Sequence, residues 1–156
     1  MPPEVNAAET GELAAGWQGH DVASDRLGNS YLAGARQLAG TGGRAASWEA
    51  FVQKRNAAGS VQWEWRSAGG APAGGSVAVA TALALDDAAN AETDVTVTGY
   101  FNSVVTFGSR TLAARNNSLD IFLQKLSGAG SVRWVRAGGG WKSDQANAVA
   151  AAGAGE

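Results

Sequence analysis

Residues 48–66 and 120–136 carry one pattern twice, and a repeated pattern narrows the possible folds more than any composition does. Phe51 matches Phe122, Lys54 matches Lys125, Gly59 matches Gly130, Val61 matches Val132 and Trp63 matches Trp134, each pair 71 positions apart. In each copy two short apolar stretches flank a Gly-rich turn. Side chains alternate along a strand, so Ile121, Leu123 and Lys125 share one face and Phe122, Gln124 and Leu126 the other. Both faces are apolar near the strand start, which predicts a strand covered on both sides. Ser127-Gly128-Ala129-Gly130 supplies the positive φ that tight hairpin turns need. The return stretch places Val132, Trp134 and Arg136 on one face. Its first copy places Val61, Trp63 and Trp65 there, with Gln62, Glu64 and Arg66 opposite. Alternation of this kind predicts strand rather than helix.

The rest of the chain follows the same repeat. Strands are expected at 20–25 and 30–35, joined by an Asp25-Arg26-Leu27-Gly28-Asn29 turn whose residue types favour turn backbones. In the second copy strands are expected at 80–86 and 94–101. Tyr31-Leu32-Ala33-Gly34 aligns with Thr96-Val97-Thr98-Gly99, 65 positions on. A Gly-rich link at 36–47 corresponds to a longer one at 102–119, where Thr106-Phe107 and Thr111-Leu112 predict a short strand pair at the rim. Residues 145–150 match 79–84 and open a third unit. The expected organisation is therefore 1–19 as a tail or the end of a preceding unit, 20–79 as repeat 1, 80–144 as repeat 2, and 145–156 as the truncated start of repeat 3.

Composition limits the function classes. The chain has 156 residues, enough for one domain. Its 45% hydrophobic content is inflated by alanine, and with 22 glycines the core volume must come from Val, Leu, Ile, Phe and six Trp. A net charge of −2 gives no electrostatic basis for binding nucleic acid. There is no cysteine, so disulfides and thiolate metal sites are excluded. No basic-then-apolar leader is visible at the start, and no apolar run reaches the ~20 residues of a membrane helix.

Repeats of this period and strand count read as blades of a β-propeller or a related β-array. Asp25-x-x-Gly28-Asn29-x-Tyr31-x-x-Gly34, Thr98-Gly99-Tyr100-Phe101, Thr106-Phe107-Gly108 and the hairpin from Asp120-Ile121-Phe122-x-x-Lys125 to Gly130-x-Val132-x-Trp134 resemble the bacterial β-propeller repeat called SBBP. The resemblance spans about residues 17–156. It implies an all-β fold with propeller-like blades: two four-stranded antiparallel units and partial units at each end. It also implies a place in a secreted or cell-surface protein. The second copy departs from the pattern by replacing Gly28-Asn29 with an acidic loop at 87–93. Two blades cannot close a ring, and repeat arrays leave open faces at their ends. The expectation is a fragment of a longer propeller or a protomer that completes a ring by self-association. Partners are then other blades, from the same longer chain or a homo-oligomer, with a glycan or protein ligand beyond them.

Three groups of residues are candidates for chemistry. The loop at 86–94 offers oxygen donors suited to calcium in Asp86, Asp87, Asn90, Glu92 and Asp94. It lacks the spacing of a known calcium loop, and a solvated turn explains the same residues. Trp63 and Trp134 recur and are assigned to packing, which leaves Trp17, Trp65 and Trp141 as candidates for stacking on a sugar. His20, the lone histidine, stands beside Asp21 without a nucleophile motif. No cofactor is expected. These features predict a non-catalytic repeat module acting as scaffold or interaction domain, or alternatively a lectin-like propeller formed by self-association.

Overall fold

The computed structural model describes residues 16–40, 42–43, 45–69, 75–87 and 92–152. Among these the chain is all-β, with a single 3-10 turn at Arg115–Asn117. The first sheet contains β1 (Trp17–Ser24), β2 (Ser30–Leu38), β3 (Ser47–Arg55) and β4 (Val61–Arg66), in that order. A short β5 (Ala68–Gly69) leads to the second sheet. This contains β6 (Ala78–Asp86), β7 (Asp94–Phe101), β10 (Asp120–Leu126) and β11 (Val132–Gly138), also in sequence order from one edge to the other. Between β7 and β10, β8 (Val104–Phe107) and β9 (Arg110–Ala113) form a hairpin that pairs with β5. This small flap is the rim strand pair that Thr106-Phe107 and Thr111-Leu112 predicted. All three sheets are antiparallel.

The two large sheets are copies in detail. Each first strand carries a bulge, between Gly19 and Asp21 in β1 and between Ala80 and Ala82 in β6. Each central hairpin pairs in the same register, with Lys54 opposite Trp63 and Lys125 opposite Trp134. The turns at 25–29, 56–60 and 127–131 share one geometry. The first residue's N–H bonds the last residue's carbonyl, and the fourth residue is a glycine at φ 82°, 85° and 85°, a backbone only glycine adopts without strain. In the first two turns a side-chain oxygen, from Asp25 or Asn56, also accepts two backbone N–H groups.

Some boundaries differ from expectation. β1 begins at Trp17 and β2 runs to Leu38, because ladder pairing continues to Trp17 opposite Arg36 and then to Leu38 opposite Ser47. Residues 145–150 are not a strand. They are tied to β6 by the Thr81 hydroxyl, which donates to the Ala146 carbonyl. Of the expected terminal units, 1–15 and 153–156 lie outside the described residues.

The core lies between the sheets. Tyr31, Ala33, Ala50, Val52 and Trp65 form the front face of the first sheet. They pack on the back face of the second, whose centre is Val97, Phe122, Leu126 and Val135. Backbones approach most closely where β6 meets β1, β2 and β3. Alanine makes that approach possible: Ala33, Ala35 and Ala50 on one side and Ala78 and Ala80 on the other are fully buried. The abundant alanines therefore set the inter-sheet distance as well as adding little volume.

One row of this core is poorly satisfied. Gln53 and Gln124 occupy the same repeat position. Gln53 donates to Glu64 and accepts from Arg55. In the second copy those partners are replaced by Val135 and Leu126, and the fully buried Gln124 amide bonds nothing at either atom. A buried polar group without a partner costs about 1–3 kcal/mol. Gln124→Met keeps the shape and removes the penalty, so urea denaturation should show a gain of about 1 kcal/mol. A loss would mean that the amide has a partner in solution.

Candidate functional site

Among the described residues a concavity opens where the start of β6 crosses the first sheet. It is a cleft of about 220 Å³ lined by Gln18, His20, Ala35, Trp48, Val77, Val79 and Tyr100. Trp48 is set in place by its backbone, which donates to the Ser76 carbonyl and bridges Val77. The Val77 N–H in turn donates to the Asn102 side chain. The β1 bulge turns out His20, which is solvent-exposed. Neighbouring Asp21 does not pair with it: its carboxylate accepts the Val22 and Leu83 N–H groups and thereby clamps β1 to β6. The cleft thus combines an indole and a phenol with an amide and an imidazole, a lining suited to stacking and hydrogen bonding.

The three candidate tryptophans are dispersed. Trp65 is 7% exposed and stacks on Phe107, with ring centroids 5.9 Å apart, so it belongs to the core. Trp17 meets the edge of Phe51 at 4.8 Å and lies under the Arg36 guanidinium. Trp141 is 79% exposed beyond the end of β11. None of these three lines the cleft. Trp48 and Tyr100, which do, were not marked as binding residues by the sequence, since neither recurs as an aromatic at its repeat-equivalent position.

The acidic loop is occupied by cations of the chain itself. Asp86 and Asp94 both face Lys125, at 3.1 and 3.7 Å, and Asp94 also pairs with Arg133 at 2.9 Å. Asp87 accepts the Arg26 N–H and the Thr93 hydroxyl and so ties the loop to the first sheet's turn. Glu92 is exposed, and Asn90 lies outside the described residues. Among the described residues no group of three or more carboxylates or histidines converges as metal ligands do.

The corresponding turn of the first sheet is closed by Asp25. Its carboxylate accepts the Leu27 and Asn29 N–H groups, the Asn29 amide and the Tyr31 hydroxyl. Burial pushes its pKa up, but these hydrogen bonds outweigh burial and leave it below the usual carboxylate value. A lowered pKa stabilises the fold above the unfolded value, near pH 4 for aspartate, and that contribution is lost as pH falls through the folded value. Stability should therefore drop below about pH 4, and Asp25→Asn should flatten that limb in denaturation curves run across pH. An unchanged acid limb would assign the effect to other carboxylates.

Two sheet faces complete the list of candidate surfaces. The row Leu83–Val97–Gln124–Val135 on the back of the second sheet is buried against the first sheet. Its equivalent on the back of the first sheet, Val22–Leu32–Gln53–Glu64, is open at its edges, with Val22 62% exposed where Leu83 is 6%. On the front of the second sheet, Ile121, Leu123 and Trp134 are half-buried, whereas Ala50 and Val52, the counterparts of Ile121 and Leu123, are fully buried.

No protein-family model matches the chain, and no curated protein matches it. Among the described residues no helix is long and apolar enough to cross a membrane.

Proposed function

We propose that the chain is a non-catalytic repeat module, a scaffold or interaction domain built from propeller-like blades. The observation that carries this reading is the face-to-back seating of one four-stranded unit on its copy, in which the buried core of the chain is the contact between two repeats. The resemblance to the SBBP-type repeat adds placement in a secreted or cell-surface protein. The test is turnover: purified chain incubated with ester and glycoside substrates should release no product above buffer. Turnover lost in His20→Ala would overturn the reading.

The cleft favours a second reading, a carbohydrate-binding module. Trp48 and Tyr100 offer faces for a sugar ring, and Gln18 and His20 offer hydrogen-bonding groups. A glycan array should then show binding that Trp48→Ala abolishes and Trp141→Ala leaves intact. Absence of binding to any glycan on the array would remove this alternative.

A further inference from the structure

We propose that Asp120 and Asp144 hold a calcium ion at the end of the second sheet, in the cavity where β11 gives way to residues 139–145. The cavity encloses about 440 Å³ and is lined by Ile121, Gly138, Gly139, Gly140, Asp144 and Gln145. Asp120 opens β10 and is 3% exposed. Its Oδ2 accepts the Arg115 N–H at 3.0 Å, whereas its Oδ1 is buried without a hydrogen-bond partner. Buried charges are paired or coordinate metals, because an uncompensated one is costly to take out of water. The repeat shows which partner is missing. Glu49 precedes Asp120 by 71 positions and pairs with Arg36 across the ladder at 2.6 Å. The counterpart of Arg36 is Phe101, which lies opposite Asp120 and is fully buried. The second sheet thus keeps the acid and loses its cation. Among the described residues neither Asp120 nor Asp144 forms an ion pair, although Arg115 and Lys142 are close to them in the chain.

The segment after β11 brings the second carboxylate to the first. The Asp144 N–H donates to the Leu119 carbonyl at 2.7 Å, and the Leu119 N–H donates to the Ser143 hydroxyl at 3.3 Å. Asp144 Oδ2 accepts the Gly140 N–H at 2.9 Å. Asp120 Oδ1 lies against Gly139, where a Cβ would fall inside the van der Waals radius of that oxygen. The unpartnered oxygen is therefore aimed at a wall of the cavity that bears no side chain. The β11 ladder ends at Gly138, so the carbonyls of Gly139 and Gly140 are not committed to it, and Gln145 adds a side-chain amide. The donors are all hard oxygens, without nitrogen or sulfur. Such a set suits calcium, which takes roughly six to eight oxygens in irregular geometry and completes its shell with water, better than magnesium, which demands a near-ideal octahedron. The acidic loop at 86–94 differs on the decisive point, since Asp86 and Asp94 are already neutralised by Lys125 and Arg133.

Calorimetric titration of calcium chloride into the purified, chelator-treated chain tests this, with thermal melts as a second readout. The titration should show a single site. Millimolar calcium should raise the melting midpoint by several degrees, because an ion bound only by the folded chain stabilises it. Magnesium at the same concentration should raise it less. Asp120→Asn should bind calcium about tenfold more weakly or worse, since the charge of the ligands sets the affinity. Asp144→Asn should do the same on an exposed side chain, and its remaining oxygen still accepts the Gly140 N–H, so it serves if Asp120→Asn fails to fold. Asp86→Asn, in the other acidic loop, should bind as the parent does. Neither heat nor a shift of the midpoint in calcium would overturn the proposal, as would binding that survives Asp144→Asn and is lost in Asp86→Asn. Either result would leave the non-catalytic reading standing, since that fails only on turnover.

Discussion

Gly99→Ala should destabilise the chain by about 3–5 kcal/mol, a large part of the 5–15 kcal/mol that holds a typical domain. Gly99 lies in β7 opposite Phe122 on one side and Ala80 on the other. A Cβ at this position would fall inside the van der Waals radius of the Val79 carbonyl oxygen and 2.9 Å from the Phe122 ring. Neither neighbour has room to yield. The carbonyl belongs to the β6 ladder beside the bulge, and the ring is fully buried. The clash must therefore be relieved by parting β6 from β7 or by expelling Phe122 from the core. Gly34 repeats the situation against the Gln18 carbonyl and the Phe51 ring, so Gly34→Ala should cost a similar amount. Gly140, with only Asp144 at 3.9 Å, provides the control, and Gly140→Ala should be close to neutral. Thermal melts of the three variants check the prediction. A Gly99→Ala midpoint near that of the parent would show that the sheet shifts to admit the methyl.

The glycine pair also shows how much of this fold can be read from the sequence. The 65-residue spacing of Gly34 and Gly99 was visible, as were both hairpins, the β7 boundaries and the rim flap, because each is a local pattern of alternation and turn residues. What the alignment could not supply was the reason for the glycines, namely a phenylalanine ring laid across each from the adjacent strand. The site was less legible than the fold. The cleft gathers Gln18, Trp48 and Tyr100 from three strands and two repeats, and no local pattern marks such a meeting. Trp65 was a reasonable candidate because Arg136 takes its place in the second copy. Its uniqueness has another cause: it fills space beside a flap that the first unit lacks among its described residues. Lys54 and Lys125 recur in sequence yet differ in role. Lys54 lies over the Tyr31 ring at 5.5 Å, whereas Lys125 enters the Asp86–Asp94 pair, since Thr96 stands where Tyr31 would be. Repetition fixes where a side chain points, and its neighbours fix what it does there.

The flap leads to the second large effect. Phe107, at the end of β8, is fully buried and holds together elements far apart in the chain. Its ring stacks nearly parallel on Trp65 of the first sheet at 5.9 Å, and meets Phe101 at 5.8 Å and Phe122 at 4.8 Å in the second. The two sheets approach through alanine at β6, but no such small residues bring the outer strands together, and the space beside Trp65 is filled by this ring. Phe107→Ala should therefore leave a cavity between the sheets and cost about 3–5 kcal/mol, whereas Phe107→Leu should cost roughly 1–1.5 kcal/mol. The same change would admit solvent to the Trp65 indole, whose N–H already lacks a hydrogen-bond partner. Tryptophan fluorescence in Phe107→Ala should shift to longer wavelength even before unfolding begins. Urea denaturation followed by fluorescence reads both effects at once. A loss below about 1 kcal/mol with unchanged emission would mean that the β8–β9 flap lies on the surface in solution and does not wedge the sheets. A full loss with the emission shift would make this flap, which only the second unit carries among the described residues, the main tie between the two repeats.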